Sequence, residues 1–386
     1  MANSHTNSVK VAPPQCLVDF ALQLNSRYKL ESILDGTMSF PDNGVNGIIL
    51  HGLYGTGKTT TSAKLAAYLK ANRHSVLLAA AIIDWRDSDS EVTTNGAEDE
   101  TYLRRSPPYK CKNAPFESVD ELGLVFGADS EILYGEDRNL NGVLDPNEND
   151  GDASLPLDNR DGRLDPGVLD FVTVHSSEPN TDTNGTPRTI VTGAGVAQRV
   201  APLLQQALGA TRANEILRQL AGPGPGFRSV LEVYIRSRMT AEEFATIADG
   251  LTAANGQAVA GLINVNTASE EVLRCIPGIG TDKAAAVVAY RQSNPGKLGS
   301  VAWLAEVLGN AEAIQAGPYV TSRSYQFSAD VAAVGPYGRG YRRTRFIFDT
   351  SDGTPRMVSR QDLSQLGWAL GRRVRLQQFT LARGIR

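Results

Sequence analysis

Residues 261–291 constrain the fold more tightly than any other segment of this 386-residue chain. They read GLINVNTASEEVLRCIPGIGTDKAAAVVAYR, two runs rich in helix-forming residues on either side of the turn Pro277-Gly278-Ile279-Gly280. Proline and glycine supply the backbone angles that a tight turn needs. Asn266 and Thr267 precede the first run, and Thr281 is placed to cap the second. We therefore predict a helix-hairpin-helix unit here.

This hairpin allows two interpretations. Where such a hairpin binds DNA, its backbone amides hold a phosphate, so non-specific DNA binding is one of them. However, the stretch has only three basic residues, Arg274, Lys283 and Arg291. That is little counter-charge for a polyanion whose binding depends on phosphate neutralisation. We favour packing within a small helical bundle and do not expect DNA as a partner.

The hydrophobic period changes along the chain. Residues 200–208, 213–220 and 240–251 have helical spacing, with a GPGPGF break at residues 222–227. The tail instead alternates and has the β-branched and aromatic content of strands, in the runs SYQFSADVAAV, YRRTRFIFDT, PRMVSRQDL and RVRLQQFTLA. This order predicts a helical domain followed by an antiparallel sheet.

An acidic segment from Asp137 to Glu148 has the spacing of a calcium-binding EF-hand loop. Oxygen-bearing side chains occupy positions 1, 3, 5, 9 and 12 of this pattern, glycine occupies position 6, and a backbone carbonyl is available at position 7. A solvated acidic loop is the competing interpretation. The candidate calcium ligands are Asp137, Asn139, Asn141, Val143, Asp145 and Glu148.

A second acidic stretch, residues 150–165, repeats this pattern imperfectly. Counting back from Gly162 places Leu157 where the first ligand should be. If this stretch binds a cation, its geometry must therefore differ from that of the first loop.

Residues 47–73 have the order strand, glycine loop, helix that a P-loop requires: GIILH, GLYGTGKTT and TSAKLAAYLKANR. The loop satisfies G-x-x-x-x-G-K-[ST], in which backbone amides wrap phosphates, lysine reaches the outer phosphates and threonine holds magnesium. The candidate residues for binding a magnesium–nucleotide complex are Gly52, Gly55, Gly57, Lys58 and Thr59. Residues 45–80 resemble the first box of the signal recognition particle GTPases and, less closely, clamp-loader ATPases.

The other nucleotide-binding boxes are weaker. No [NT]KxD guanine box follows, and residues 120–123, DELG, match DxxG only in their letters. The run AAAIID, which ends at Asp84, is compatible with a Walker B strand. A GTPase or ATPase with appended domains is therefore an alternative function.

Residues 82–122 contain several specific short motifs: DWRD at 84–87, NGAED at 95–99, Tyr102, PPY at 107–109 and NAP at 113–115. In these motifs the segment resembles the K-type minor pseudopilins of type II secretion (general secretion pathway protein K), and we extend the resemblance over about residues 82–386. The phrase LINVNTAS at residues 262–269 is also typical of the helical domain of these proteins. Ser118 and Glu121 have capping-box spacing, which independently predicts a helix start.

The resemblance implies a structural subunit and not an enzyme. It implies assembly with other minor pseudopilins at the pseudopilus tip, on the periplasmic side of the inner membrane, with calcium in a structural role. The implied fold class is α+β: a helical domain with helix-hairpin-helix or SAM-like units, inserted in a pilin-like antiparallel sheet domain. A partial P-loop α/β segment would precede it.

We expect four segments. Residues 1–80 are a P-loop-containing segment that is incomplete or foreign, and residues 81–193 begin the pseudopilin body with the calcium-loop insertion. Residues 194–320 form the helical domain, and residues 321–386 form the C-terminal pilin-like β region. The basic residues support the first boundary, because residues 1–80 hold 5 lysines and 2 arginines, whereas residues 81–386 hold 4 and 27.

The beginning of the chain differs from that expected for a K-type pseudopilin, which starts with a cleavable leader and a long apolar helix. We find no signal sequence and no membrane span in the sequence. We therefore expect the membrane anchor to be absent, which makes a cytoplasmic location the alternative. Cys16, Cys111 and Cys275 have no CxxC spacing, so a zinc site is not expected.

Overall fold

The computed structural model describes residues 48–49, 76–221, 226–334, 340–369 and 371. These residues form a mixed helix and sheet structure, which confirms the mixed class predicted from the sequence. The α-helices are α1 (Val76–Arg86), α2 (Asp99–Tyr102), α3 (Ser130–Tyr134), α4 (Val196–Leu220), α5 (Val230–Ser237), α6 (Ala241–Ile247), α7 (Glu270–Arg274), α8 (Gly280–Ser293), α9 (Trp303–Leu308) and α10 (Asn310–Ala316).

The strands are mostly short. They are β1 (Ile48–Ile49), β2 (Val172–Thr173), β3 (Ser177–Pro179), β4 (Thr189–Ile190), β5 (Leu251–Thr252), β6 (Ala258–Ala260), β7 (Ile263–Asn264), β8 (Val320–Thr321), β9 (Gln326–Val334), β10 (Tyr341–Asp349) and β11 (Arg356–Asp362). The 3₁₀ helices are Val119–Leu124, Pro146–Glu148, Val168–Asp170, Ala248–Gly250, Pro295–Lys297, Gly317–Tyr319 and Ser364–Leu366.

Helix α1 replaces the Walker B strand considered for residues 79–84, so that strand interpretation is wrong. Alanine has the highest helix propensity, and a short apolar run has no period that separates a buried helix from a buried strand. The helix packs into the first core, where the Trp85 and Tyr102 ring centroids are 5.1 Å apart in an edge-to-face arrangement.

A second core lies among helices α4, α5 and α6. Helix α4 is kinked at Gly209, whose φ of 77° is not helical. The side chains of Ser229 and Thr240 cap α5 and α6 by accepting backbone N–H groups. Arg212 of α4 reaches Glu243 of α6, with 2.7 Å between Nε and Oε1.

The helix-hairpin-helix prediction is confirmed by α7 and α8, which flank the turn at Pro277. The predicted cap at Thr281 is wrong, because α8 already begins at Gly280 and Thr281 lies within its first turn. Its hydroxyl instead donates to Asp282. Ser269 caps α7 by accepting the Val272 N–H.

Strands β9, β10 and β11 form an antiparallel sheet with β10 in the centre. Tyr341 of β10 pairs with Val334 of β9, and Thr344 pairs with Asp362 of β11. The register of β10 and β11 shifts between Ile347 and Phe348. Three of the four strand runs predicted for the tail therefore lie in one sheet, and the run at residues 373–382 falls outside the described residues.

The other strands pair two by two. β3 pairs antiparallel with β6, whereas the pairs β1–β2, β4–β5 and β7–β8 are parallel. Among the helices that the structure describes, none is long and apolar enough to cross a membrane.

Candidate cation-binding loops

The first acidic loop, Asp137–Glu148, folds around its own side chains. Asp137 accepts the N–H groups of Asn141 and Gly142 at 3.0 and 2.8 Å. Asn139 Oδ1 accepts the Asn141 N–H at 3.0 Å, and Asn141 Oδ1 accepts the Val143 N–H at 2.7 Å. Gly142, at position 6, has a φ of +66°, a left-handed conformation that disfavours any residue with a Cβ.

The end of this loop begins the short 3₁₀ helix Pro146–Glu148. Glu148 Oε2 accepts the Asp145 N–H at 2.9 Å, which holds positions 9 and 12 of the pattern together. The side-chain amides of Asn139 and Asn141 donate to Asp145 Oδ2 at 3.1 and 3.2 Å. The structure thus brings together all five predicted side-chain positions.

The carboxyl groups of this loop are strongly buried. Asp137, Asp145 and Glu148 are only 3%, 9% and 1% exposed. Burial, with the nearby charges of Asp137 and Asp145, raises the pKa of Glu148 to about 7. Burial also raises the pKa of Asp137, although its two N–H donors offset part of this effect. A positive charge in the loop would relieve this electrostatic penalty.

The second loop, residues 149–165, repeats the same hydrogen bonds with partners from outside the predicted spacing. The Gly162 N–H donates to Asn149 Oδ1 at 3.1 Å, as the Gly142 N–H donates to Asp137 in the first loop. Asn149 therefore takes position 1 of the loop pattern, the position that counting back from Gly162 assigns to Leu157.

Glu136 completes this correspondence. Its Oε2 accepts the Asp165 N–H at 2.8 Å, as Glu148 accepts the Asp145 N–H. Glu136 is 7% exposed, and burial raises its pKa. Sequence reasoning missed Glu136 and Asn149 because they flank the first loop and reach the second from 29 and 13 residues away.

Across the described parts of the chain, no group of three or more His, Cys, Asp or Glu side chains has the arrangement of a metal centre. In the first loop, neutral oxygens from Asn139, Asn141 and the Val143 carbonyl accompany the carboxylates. Any cation there would depend on these neutral oxygens as much as on charge. Cys111 and Cys275 are both buried and reduced.

The tip of the helix hairpin packs against the protein. Gly278 has a φ of +85°, and a Cβ added there would lie 2.2 Å from the Glu312 carbonyl oxygen in α10. Lys283 donates to the Leu308 carbonyl, and Arg291 donates to the carbonyls of Val265 and Ala268. Arg274 pairs with Glu270 at 2.5 Å. The three basic side chains of the unit thus have internal partners.

The predicted nucleotide-binding residues Gly52, Gly55, Gly57, Lys58 and Thr59 lie outside the described residues. Strand β1 agrees with the strand predicted at residues 47–51 and pairs with β2. Asp84, the candidate Walker B carboxylate, lies in α1 and is fully buried, where both of its oxygens face the Thr93 N–H at 3.3 Å.

Two family models match this chain. Residues 57–134 match "Type II secretion system (T2SS), protein K", and residues 259–313 match the helix-hairpin-helix motif. The first match begins well before residue 82, so Gly57, Lys58 and Thr59 fall inside it. The second match agrees with the hairpin formed by α7 and α8.

Curated relatives share a short segment with the chain. Type II secretion system protein K of Klebsiella pneumoniae is 46% identical over 55 residues, and that of Pectobacterium carotovorum subsp. carotovorum is 38% identical over 55 residues. Each match covers 14% of this chain and 17% of the relative. The chain therefore matches only about a sixth of the length of these relatives.

Among solved structures, the chain is similar to one in the crystal structure of the GspK-GspI-GspJ complex from the enterotoxigenic Escherichia coli type 2 secretion system. That similarity has 12% identity and a TM-score of 0.41, and it covers 81% of this chain and 73% of the other. By the match to the family model, residues 57–134 of this chain have the sequence pattern of the protein K family of type II secretion.

Proposed function

We propose that this chain is a minor pseudopilin of type II secretion, a structural subunit that assembles with other minor pseudopilins at the tip of the pseudopilus. The observation that carries this proposal is the match of residues 57–134 to the protein K family. The 46% identity to protein K of Klebsiella pneumoniae supports it. The subunit would act in the cell envelope, on the periplasmic side of the inner membrane.

The order of the elements supports the finer assignment of the fold. Helices α4 to α10 lie in the chain between α1 and the antiparallel sheet β9–β11. We assign the helical region as the domain inserted in a pilin-like sheet domain. In such a subunit the two domains supply surfaces for assembly, and no catalytic step is needed.

Calcium is the cation we propose for the first loop. Calcium takes six to eight oxygen ligands, and a mixture of carboxylate, amide and backbone oxygens suits it. When bound, it would neutralise the buried carboxylates and fix the loop. The proposed ligands are Asp137, Asn139, Asn141, Val143, Asp145 and Glu148.

We also propose a second calcium site in the loop at residues 149–165. Two hydrogen bonds that repeat those of the first loop support this site. The Gly162 N–H donates to Asn149, and the Asp165 N–H donates to Glu136. Asn159, Asp161 and Asp165 would supply its remaining side-chain oxygens. Binding of calcium to both loops would join residues 136–165 into one ordered unit.

The two alternative functions have less support. A nucleotide-dependent enzyme would need a magnesium-side carboxylate, and Asp84 lies in a helix. DNA binding through the hairpin would need its tip and basic residues at the surface, but Gly278 packs on α10.

Sedimentation of the purified chain with the soluble domains of the I- and J-type minor pseudopilins from the same organism would test the proposed assembly. We expect a complex with one copy of each subunit, and no complex when an unrelated helix-hairpin-helix protein replaces the chain. If the three proteins are mixed at micromolar concentrations and the chain sediments separately from the other two, the proposed function is contradicted.

A further inference from the structure

Arg343 is a buried arginine in the central strand β10, and its side chain is only 1% exposed. A buried charge is costly unless it has close partners. Asp330 of the neighbouring strand β9 supplies one, with 2.6 Å between Arg343 Nη2 and Asp330 Oδ2 and 3.0 Å between Nε and Oδ1. The sheet therefore fixes the orientation of this guanidinium group.

The remaining donors of Arg343 leave the sheet and contact the first acidic loop. Nη1 donates to the Asn139 carbonyl and Nη2 to the Leu140 carbonyl, both at 2.5 Å. These contacts join residues more than 200 positions apart in the chain. Because guanidinium is a rigid planar fork, it holds two adjacent carbonyls in one fixed relation, which a lysine cannot do.

The held carbonyls belong to loop positions 3 and 4. Leu140 has a φ of +52°, in the left-handed region that disfavours residues with a side chain. Arg345, two residues along the same face of the strand, also approaches the Leu140 carbonyl at 3.4 Å. Neither carbonyl is a ligand in the loop pattern, which uses the carbonyl at position 7. The arginine contacts therefore hold the backbone of the loop and leave its proposed ligand atoms available.

We propose that Arg343 is a positioning residue that holds the first loop in its cation-binding shape and couples cation binding to the sheet. This inference rests on the calcium site of the proposed function. Arg343 acts through the backbone of Asn139 and Leu140 and is not itself a ligand. Because coupling between two sites is reciprocal, calcium in the loop also protects the β9–β10 hydrogen bonds.

Calorimetric titration of the full chain with calcium chloride, for Arg343→Lys and for Arg342→Lys, tests this inference. Arg342 is the adjacent residue, has a side chain that is 77% exposed and pairs with Asp362 at the surface. We expect Arg343→Lys to weaken calcium affinity ten- to a hundredfold, the usual effect of losing a residue that orients ligands. Arg342→Lys stays within twofold of the wild type. An affinity within twofold for Arg343→Lys overturns the inference, even if that variant is less stable.

Hydrogen exchange in EDTA provides a readout that needs no calcium. The amides of Asn141 and Gly142 donate to Asp137, so they report the shape of the loop. They should exchange at least tenfold faster in Arg343→Lys than in the wild type or in Arg342→Lys, and equal exchange overturns the positioning role. If the wild type gives no calcium heat, the calcium part of the proposed function fails, while this exchange result still decides the role of Arg343.

A second variant covers the case in which Arg343→Lys does not fold. Asp330→Asn keeps the shape of the side chain but removes the charge that orients Arg343. We expect it to weaken calcium affinity by more than threefold and to speed exchange at Asn141 and Gly142. Calcium affinity and exchange that match the wild type would overturn the inference.

Discussion

Glu98 is a carboxyl group in an environment that disfavours its charge. It is 3% exposed, and burial raises its pKa above the usual value near 4.5. The charges of Asp84, Asp87 and Asp99 raise it further, although the Cys111 thiol offsets part of this effect. Folding therefore favours the protonated form of Glu98. The contribution of Glu98 to stability is complete below pH 4.5 and is lost as the pH rises through its folded-state pKa.

Glu98→Gln should remove this penalty, because glutamine has the same shape and carries no charge. We expect the free energy of unfolding at pH 8 to rise by about 1 kcal/mol, and the difference to vanish at pH 4. Urea unfolding at both pH values measures it. Glu100→Gln is the control, since Glu100 is exposed and pairs only at the surface. A less stable Glu98→Gln protein at pH 8 would show that the carboxylate has a stabilising partner.

The hairpin element depends on the close approach of α10 to Gly278. A Cβ at Gly278 would overlap the Glu312 carbonyl, whereas a Cβ at Gly280 would meet no atom within 4 Å beyond its chain neighbours and its own helix backbone. Both glycines have positive φ, at 85° and 59°. Substituting alanine at each of these two glycines therefore separates the loss of stability caused by a steric clash from the loss caused by the backbone conformation.

We expect Gly278→Ala to lower the free energy of unfolding by about 3 kcal/mol and Gly280→Ala by about 1 kcal/mol. Urea unfolding followed by circular dichroism gives both values. Equal losses would mean that the hairpin tip does not pack against α10. A tip free to contact a phosphate would then return DNA binding as an interpretation.

Elements with strong local signals were predictable from the sequence. The turn at Pro277 locates the hairpin, and Ser118 with Glu121 forms a capping box, although the element that follows is a 3₁₀ helix. The strand prediction was wrong at Asp84 because short apolar runs occur both in buried helices and in buried strands. The cap prediction failed at Thr281 because α8 begins at Gly280, two residues before the start that a cap at Thr281 implies.

Across the fold, the candidate site depends on contacts between residues that are far apart in the sequence, and a spacing pattern does not predict such contacts. The first loop could be predicted because its side chains bond within twelve residues, as an EF-hand loop does. Glu136 and Asn149 complete the second loop through hydrogen bonds that span 29 and 13 residues of the sequence. Arg343 arrives from the sheet, and its sequence context, YRRTRF, does not distinguish it from exposed Arg342.

The proposed function makes this chain a structural subunit with a calcium-bound loop and not a nucleotide-dependent enzyme. Isothermal titration of the purified full chain with calcium and, separately, with magnesium plus GTP or ATP measures both properties on one protein. We predict calcium heat that Asp137→Ala abolishes and no nucleotide heat. Nucleotide heat that Lys58→Ala abolishes, without any calcium response, would contradict the proposed function and assign a function to the P-loop segment instead.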